Sequence, residues 1–511
     1  MQTVCMDLAS GLVDATSFEN AADAEWSVVR SLMPPSPIRP LLVARAADVA
    51  EWAMRQVAGS FRPVPQQTVT VRKHRHGVRP VAELFLRDQL LYRVLAEALS
   101  GDLVPPSRQT QGFDDFRRAP LSDTSAAYVV SSDVSSFYQY IDHNVLAQEL
   151  LIRTGDAERV AALMDLMEGV AGRTYGLPQQ SEPSDLLAES YIDIVHRRLT
   201  RGGLRVWRYN DDWRIAAASW SEALHAVDLL EHECRRVGLT LNDSKTIIRT
   251  RATYEEDLDH RENVLAEIAE EAELDLTDFS IGRMYEAVII EPEQAAVQLE
   301  ASRKILVRYG EHRADDEKDP KVLQTLLQLV PGALVSLSES VKGKNDEVDS
   351  EILDLCVQIL RTEQNLTPQV SRYLGAAIDA DEALVLAAFD GLLGLNPYIT
   401  PWQAAWLGPE LGRAPKFAAG AARGAWLSSV WNDNAASEPV RSGLAVTLAR
   451  HKLISKRDLL VAYDAMSETG RPGIAAALGV AEPKKADPAI AAMCREDDLS
   501  EMAYDWGAAL A

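Results

Sequence analysis

The chain of 511 residues is long enough for two to four domains, and its 47% hydrophobic and 25% charged residues are typical of a globular protein. These values exclude wholesale disorder and low-complexity architecture, and no apolar run reaches the roughly 18–20 residues that span a bilayer. The net charge of −24 is uneven: residues 1–250 carry 27 Lys and Arg against 32 Asp and Glu, whereas residues 251–511 carry 25 against 44. The first half can therefore present a local basic face to phosphates.

Two features indicate the compartment. Residues 1–24 contain four acidic residues and no Lys or Arg, which is unlike a secretory signal. The four cysteines are far apart and form no Cys-x-x-Cys pair, so neither a zinc site nor a disulfide framework is expected. We therefore expect a cytoplasmic protein that does not engage a membrane.

The first predicted elements are a helix, a strand and a second helix. Residues 41–59 are rich in Ala and Val and follow a cluster of prolines, which predicts a helix after the break. Residues 68–71 alternate polar and apolar side chains, as a half-buried strand does. A helix is predicted over about residues 83–99.

Residues 128–250 mix short β-like runs with helices, which predicts an α+β domain. Residues 128–130 form a strand candidate that leads to Asp133. Residues 206–215 indicate a β-hairpin with a polar tip. Helices are predicted over residues 184–199 and 223–237, and residues 239–241 begin another extended segment.

After residue 250 the pattern predicts helices throughout. Residues 255–273 are acidic and are interpreted as a solvated connecting helix. Leu353, Cys356, Val357 and Leu360 have the spacing of one apolar helix face. Thr-Pro pairs at 367–368 and 400–401 resemble helix starts and lie 33 residues apart, near the period of two-helix repeats. No sequence signature repeats with them, so a helical repeat and a plain helical bundle both stay open.

Three carboxylates are predicted at strand ends. Asp133 follows one strand, and Asp211 and Asp212 occupy the hairpin tip. On neighbouring strands they would hold two Mg²⁺ about 4 Å apart, one activating a hydroxyl and the other neutralising pyrophosphate. An Asp-Asp pair at a turn is weak evidence alone, because Asp is common in turns. Its order after Tyr138 and a Gly-x-Pro-Gln turn that ends in Gln179 makes the signal specific.

These segments resemble the palm motifs A, B, C and D of reverse transcriptases, over about residues 65–250, with Tyr209-Asn210-Asp211-Asp212 as the Tyr-x-Asp-Asp box. The resemblance implies an α+β right-hand polymerase, here followed by an all-α helical-repeat-like C-terminal domain. It implies that Asp133, Asp211 and Asp212 bind two Mg²⁺, with Mn²⁺ as an alternative. The expected domains are a helical N-terminal segment (1–64), fingers and palm (65–250), an acidic helical connector or thumb replacement (251–319) and a helical-repeat-like domain (320–511).

The resemblance assigns roles to five further residues. Tyr138 matches the aromatic residue that blocks a ribose 2′-hydroxyl, so dNTPs are the expected substrates. Gln179 matches a residue that touches the incoming nucleotide, and Lys245 matches the motif D lysine, a candidate proton donor to pyrophosphate. Lys73 and Arg79 match the fingers residues that grip the triphosphate, where a guanidinium suits phosphate oxygens. The alternatives are core packing for Tyr138, a solvated surface position for Lys245 and an exposed basic hairpin for Lys73 and Arg79.

The chain also departs from the family. Gln180 stands where the family usually has Gly in motif B, at a turn that approaches the templating base. Its side chain would crowd the template, which places faithful copying in doubt and leaves the metal chemistry untouched. No ribonuclease H constellation, Cys/His endonuclease pattern or phosphate-binding Gly-rich loop is recognisable.

The long helical second half resembles bacterial abortive-infection (Abi-type) and other defence-associated reverse transcriptases. This implies RNA-directed or template-independent DNA synthesis in antiphage defence, a homo-oligomer, and in some members priming from a side chain. The implied partners are dNTPs, the DNA product, an RNA template or non-coding RNA, and a phage protein as trigger. Tyrosines outside the fingers and palm are candidate primers, Tyr504 among them because it lies near a terminus; the others are Tyr254, Tyr285, Tyr309, Tyr373, Tyr398 and Tyr463.

Two alternatives remain. The chain would be a templated reverse transcriptase of a retron-like or mobile element that copies a non-coding RNA, or an inactive polymerase fold used as a binding scaffold. The intact Asp133, Asp211 and Asp212 argue against the scaffold. The acidic helical half argues against broad nucleic-acid binding through its outer surface.

Overall fold

The computed structural model forms two compact units that do not follow chain order: residues 1–25, 46–66 and 84–260 make the first, and residues 26–45, 67–83 and 261–511 make the second. The Lys73 segment is described only up to that residue and again from Gly77, and Tyr285 and parts of the expected connector lie outside the described residues. The described residues are 5–9, 11–28, 30–73, 77–271, 295–314, 320–342 and 348–511.

The strands and the first eleven helices have the following bounds. The strands are β1 (Gln67–Arg72), β2 (Val78–Glu83), β3 (Tyr128–Asp133), β4 (Arg205–Tyr209), β5 (Asp212–Ala217) and β6 (Ile247–Thr250). The helices are α1 (Ala15–Ser27), α2 (Arg39–Ala44), α3 (Ala46–Val57), α4 (Leu86–Leu99), α5 (Ser107–Thr110), α6 (Phe113–Arg118), α7 (His143–Thr154), α8 (Ala157–Ala171), α9 (Glu182–Arg201), α10 (Trp220–Arg236) and α11 (Arg251–Glu271).

The first unit is built around an antiparallel sheet with the strand order β4-β5-β3-β6. Val129 and Val130 of β3 and Trp213 and Ile215 of β5 are fully buried, as expected for the two central strands. Helix α10 packs on β3 and β5, α9 packs on β4, and the buried helix α4 contacts α3, α8 and α9. These helices therefore hold the sheet, and with it the residues at the strand ends, in position.

The predicted elements of this unit are largely confirmed. The strand at 128–130, the hairpin and the helices at 184–199 and 223–237 are present as β3, β4–β5, α9 and α10. The helix expected over 41–59 is divided at Arg45 into α2 and α3, and in the segment 239–241 only Leu241 forms a bridge, to Val134. Strand β6 and helices α7 and α8 were not predicted, although Asp142 and Asp156 cap the two helices at their starts.

The second unit holds the β1–β2 hairpin and the later helices. The two strands pair antiparallel, with Val71 opposite Arg79, and β1 contacts two of the later helices, α17 and α19. The later helices are α12 (Ala295–Ala314), α13 (Pro320–Lys342), α14 (Ser350–Thr362), α15 (Thr367–Ala380), α16 (Glu382–Gly394), α17 (Pro401–Leu411), α18 (Ala421–Asn432), α19 (Glu438–Arg450), α20 (Lys456–Ala465), α21 (Arg471–Ala481), α22 (Pro488–Glu496) and α23 (Asp498–Ala508).

These helices lie in two rows. The odd-numbered helices from α13 to α23 each contact the next one in that series, and the even-numbered helices from α12 to α18 do the same. Neighbours in sequence, such as α14 and α15, also contact each other. A stack of helix pairs would produce this pattern, and the helical-repeat interpretation stays a prediction because no repeated sequence accompanies it.

The local helix signals of this unit are mostly confirmed. Thr400 caps α17 through a capping box with Gln403, with Pro401 in the first turn. Thr367 is instead the first residue of α15, because its hydroxyl donates to the Gln364 carbonyl. Three residues of the predicted face on α14 are buried, namely Leu353, Cys356 and Leu360, and Val357 is half-buried.

One segment among the described residues, Val322–Lys342, has a length and mean hydropathy that would suit a membrane span. Two thirds of its most apolar window (67%) is buried within the protein. Core helices of globular proteins share these properties, so the segment is weak evidence for a membrane.

Candidate active site

The ends of β3 and β5 bring three carboxylates together. The antiparallel register places Asp133, the last residue of β3, directly opposite Asp212, the first residue of β5, and Asp211 precedes Asp212 in the hairpin tip. The Val134 N–H donates to the Asp211 carbonyl at 3.2 Å, which ties the tip to the end of β3. One carboxylate oxygen of each aspartate lies within 4.8 Å of the other two. The short hairpin predicted from the sequence therefore produces the cluster directly.

A buried polar network supports the hairpin tip. Asn210 has a φ of +52°, a left-handed conformation that Asn tolerates in tight turns. Its N–H donates to the Ser107 hydroxyl at 2.8 Å, and its carbonyl accepts from Arg208 Nη1 at 2.9 Å. Arg208 is paired with Glu189, and both side chains are buried. These hydrogen bonds and the buried ion pair hold the tip in one position.

The electrostatics of the cluster favour a bound cation. Burial, followed by repulsion from the Asp133 and Asp212 carboxylates, raises the pKa of Asp211 to about 7. The positive charge of Arg108 acts in the opposite direction and does not outweigh these effects. A divalent cation would relieve the repulsion, and an all-carboxylate donor set suits hard ions such as Mg²⁺. The three aspartates thus fit a divalent metal site.

Lys245 lies beside the same cluster. It ends the 3₁₀ turn Asp243–Lys245, and its Nζ is 3.0 Å from Asp133 Oδ1. Burial alone would lower the pKa of Lys245, but the nearby carboxylates, Asp133 first, outweigh it and raise that pKa. The Asn242 N–H donates to the Asp133 carbonyl at 2.8 Å, which ties the Lys245 turn to the end of β3. A cationic ammonium is therefore placed at the carboxylate cluster.

Tyr138 is held at both ends. It lies in the 3₁₀ turn Phe137–Gln139, and its carbonyl accepts from the Leu177 N–H at 2.8 Å. Its ring packs edge-to-face against the Phe137 ring, with 5.3 Å between the ring centroids. Its hydroxyl donates to Asp185 Oδ1 in the first turn of α9. Burial, and then the Asp185 charge, raise the pKa of Tyr138 well above its usual value, so the phenol stays protonated.

Gln179 and Gln180 lie in the bend between Gly176 and α9, and both are half-buried. Gly176, which opens the bend, has a φ of +93°, and its N–H donates to the Ile141 carbonyl at 2.8 Å. Gln180 has a φ of +62°, the left-handed region that favours glycine. The backbone thus adopts a glycine-like conformation at Gln180 despite the side chain.

Lys73 and Arg79 belong to the other compact unit. Lys73 follows β1 and its N–H donates to the Gly77 carbonyl at 2.8 Å, while Arg79 lies within β2 opposite Val71. Both side chains are half-buried. Their assignment to the triphosphate stays a prediction.

Sequence reasoning missed two contributors to the site, Arg108 and Glu189. Arg108 Nη1 lies 3.6 Å from Asp185 Oδ2, and the Asn210 amide satisfies its surroundings only with its oxygen towards the Arg108 guanidinium. Glu189 supports the hairpin tip through Arg208. No local sequence signal marks Arg108, which lies in the four-residue helix α5, or Glu189, whose face of α9 also carries Asp185 and Asp193.

No curated protein matches the chain. Three solved structures are similar to it at low level, and none supports a conclusion about it at these TM-scores. They are telomerase from Candida albicans in complex with a TWJ fragment of telomeric RNA (10% identity, 73% of this chain and 65% of that chain, TM-score 0.30), telomerase from Candida tropicalis in complex with such a fragment (11%, 71% and 66%, 0.28) and apo telomerase from Candida tropicalis (10%, 77% and 74%, 0.30). The chain spans less than two thirds of the length of the first two.

A family comparison is specific. Residues 71–270 match the sequence model of the family described as reverse transcriptase (RNA-dependent DNA polymerase). That range contains the three aspartates and the five other residues singled out in the sequence, Lys73, Arg79, Tyr138, Gln179 and Lys245. Residues 71–270 therefore carry a reverse transcriptase domain, and the described residues that follow it are mostly helical.

Proposed function

We propose that the protein is a DNA polymerase that adds dNTPs to a growing strand by two-metal nucleotidyl transfer. The observation that carries the proposal is that the carboxylates of Asp133, Asp211 and Asp212 lie close together. Asp211 and Asp212 lie at the tip of one β-hairpin, and Asp133 ends the neighbouring strand. A surface carboxylate pair would not need a buried network beneath it, as the tip of this hairpin has.

The three aspartates hold the metal ions in this proposal. When bound, the ions lower the pKa of the attacking hydroxyl and stabilise the negative charge that develops on the phosphoryl oxygens. Lys245 keeps its proton at neutral pH because of the surrounding carboxylates, and its Nζ is the group that passes a proton to the departing pyrophosphate. Lys73 and Arg79 bind the triphosphate, and Gln179 contacts the incoming nucleotide.

Tyr138 selects the sugar in this proposal. The Tyr138 ring is held at its backbone and at its hydroxyl. A fixed ring excludes an added 2′-hydroxyl by steric clash more effectively than a mobile ring does. The fixed ring supports dNTPs as substrates, with DNA as the product.

The biological setting is the more distant part of the proposal. The helical second half supports the resemblance to defence-associated reverse transcriptases, and from it we propose a cytoplasmic homo-oligomer that acts against phage, with a phage protein as trigger. RNA-directed and template-independent synthesis both remain within the proposal, with an RNA template or non-coding RNA as partner. The positive φ of Gln180 bears on the choice between these two modes of synthesis, because its side chain lies in a turn where the family usually has glycine and therefore no side chain.

The experiment is synthesis by the purified protein with Mg²⁺ and each dNTP, with and without co-purified RNA, followed by sizing and nuclease digestion of the product. We expect labelled DNA from the wild type and none from a protein with Asp211→Asn and Asp212→Asn, because the metal ligands are lost. A double variant that is folded and still synthesises DNA at the wild-type rate would refute the assignment. A product that copies bound RNA would favour the templated alternative, and loss of phage protection in the same variant tests the defence role.

A further inference from the structure

The hydroxyl of Tyr138 is bound by a residue that the reverse transcriptase motifs do not assign. Asp185 lies 47 residues further along the chain, in the first turn of α9, and its N–H donates to the Ser181 carbonyl at 3.0 Å. Its Oδ1 accepts the Tyr138 hydroxyl. The carboxylate is therefore presented from a regular helix, so its position is set by secondary structure and not by a loop.

The second oxygen of Asp185 is also engaged. Oδ2 lies 3.6 Å from Arg108 Nη1, so the carboxylate is held between a phenol and a guanidinium. Arg108 in turn faces the amide oxygen of Asn210 in the hairpin tip, next to Asp211. A chain of contacts thus runs from the Tyr138 ring, through Asp185 and Arg108, to the hairpin that carries the metal ligands.

From this arrangement we infer that Asp185 is a positioning residue for sugar selection, which fixes the Tyr138 ring by its hydroxyl and is itself fixed by Arg108. The inference rests on the proposed use of dNTPs and goes beyond it, because it assigns discrimination to a pair of residues and not to the ring alone. A hydrogen bond from a phenol to a half-buried carboxylate is charge-assisted and is among the stronger ones in proteins. Without it the ring is restrained only by its backbone and by its contact with the Phe137 ring, and it can swing away from an incoming ribose.

The test is the ratio of kcat/KM for a dNTP to that for the matching NTP, measured with Mg²⁺. We expect Asp185→Ala to lower this ratio by about tenfold, which corresponds to about 1.4 kcal/mol. Tyr138→Phe keeps the ring and removes the hydroxyl, so it should lower the ratio by a similar factor, and the two changes together should lower it little further. Asp185→Asn keeps an acceptor oxygen and should retain most of the ratio.

Asp193→Asn is the matched control. Asp193 is an acid of the same helix, but it pairs with Arg153 and Arg197, so its loss should leave the ratio unchanged. A merely structural role for Asp185 would lower kcat/KM for both substrates equally and would overturn the inference. So would an unchanged ratio in Asp185→Ala when Tyr138→Ala does change it.

A wild-type protein that incorporates no dNTP would refute the proposed function, and the inference with it. An active wild type with an unchanged ratio in Asp185→Ala refutes only the inference. A second measurement shows whether the variants are folded. The unfolding equilibrium constants of Asp185→Ala, Tyr138→Phe and the double variant should be non-additive, with a coupling of about tenfold between the two changes. Strictly additive effects would show that the two side chains do not act together.

Discussion

Replacing Asp211 by Asn should stabilise the protein when no divalent metal is present. Burial and the two neighbouring carboxylates raise the pKa of Asp211 from 3.8 to about 7, so the folded state disfavours the charged form. A shift of one pKa unit corresponds to about 1.4 kcal/mol, so the full shift corresponds to about 4 kcal/mol. Asp211 is partly exposed, so solvent screening reduces this figure, and we expect Asp211→Asn to be more stable than wild type by about 1–2 kcal/mol at pH 8.

The sign follows from proton linkage. Because the folded-state pKa lies above the unfolded one, the folded protein binds the extra proton, and the stability contributed by protonated Asp211 is lost as the pH rises through about 7. The advantage of Asp211→Asn should therefore be smaller at pH 6 than at pH 8. Added Mg²⁺ should reverse the order, because the cation binds the intact carboxylates and stabilises the wild type more than the variant.

Urea denaturation in EDTA and in Mg²⁺, at pH 6 and pH 8, measures these free energies of unfolding. Asp228→Asn, which removes an exposed carboxylate of α10, is the control and should change the free energy of unfolding little under any of the four conditions. The reasoning fails if Asp211→Asn is no more stable than wild type in EDTA at pH 8, or if its advantage does not depend on pH.

Three further outcomes are expected. Tyr138→Ala should raise the kcat/KM for NTPs relative to dNTPs by tenfold or more, since it opens room for a 2′-hydroxyl; an unchanged ratio would show that the ring only packs. Glu189→Gln should lower the free energy of unfolding by about 3 kcal/mol, because it leaves Arg208 buried without its ionic partner, and a loss under about 1 kcal/mol in urea denaturation would contradict this. If DNA is attached to the protein through a tyrosine, the exposed Tyr398 is the favoured position, so Tyr398→Phe should abolish product that remains with the denatured protein, whereas peptide mapping to another residue would exclude Tyr398.

The structure corrects the sequence interpretation of Tyr504. Its place near the C-terminus favoured a mobile side chain, but the residue is fully buried and its hydroxyl donates to the Glu482 carbonyl. The cause is the close packing of α21 and α23: a Cβ on Gly507 would lie 1.9 Å from the Ala476 carbonyl oxygen, and one on Gly479 would lie 2.1 Å from that of Tyr504. Only glycine permits this close approach. The role of these glycines cannot be predicted from the sequence, because it depends on which two helices pack together.

The cluster of three aspartates could be predicted because its information is local. The strand before Asp133 and the hairpin with Asp211 and Asp212 at its tip are each short patterns, and antiparallel pairing brings such ends together. Arg108 and Asp185 could not be assigned in this way. They meet Tyr138 and the hairpin only through contacts between segments that are far apart in sequence, and no periodicity encodes such contacts.

Gln180 is unusual both in the sequence and in its backbone conformation. The sequence marks it as a departure, and the structure shows that the backbone keeps the left-handed conformation that the usual glycine would adopt, at φ +62°. A non-glycine residue in this region costs about 1 kcal/mol, so Gln180→Gly should raise the stability by about that amount. If the side chain is what crowds a template, the same variant should raise the stimulation of DNA synthesis by an added RNA template several-fold. The dNTP to NTP ratio should not change, because the substitution removes neither partner of the hydrogen bond between Tyr138 and Asp185. Template stimulation that is the same in the wild type and in Gln180→Gly would show that template use is set outside this turn.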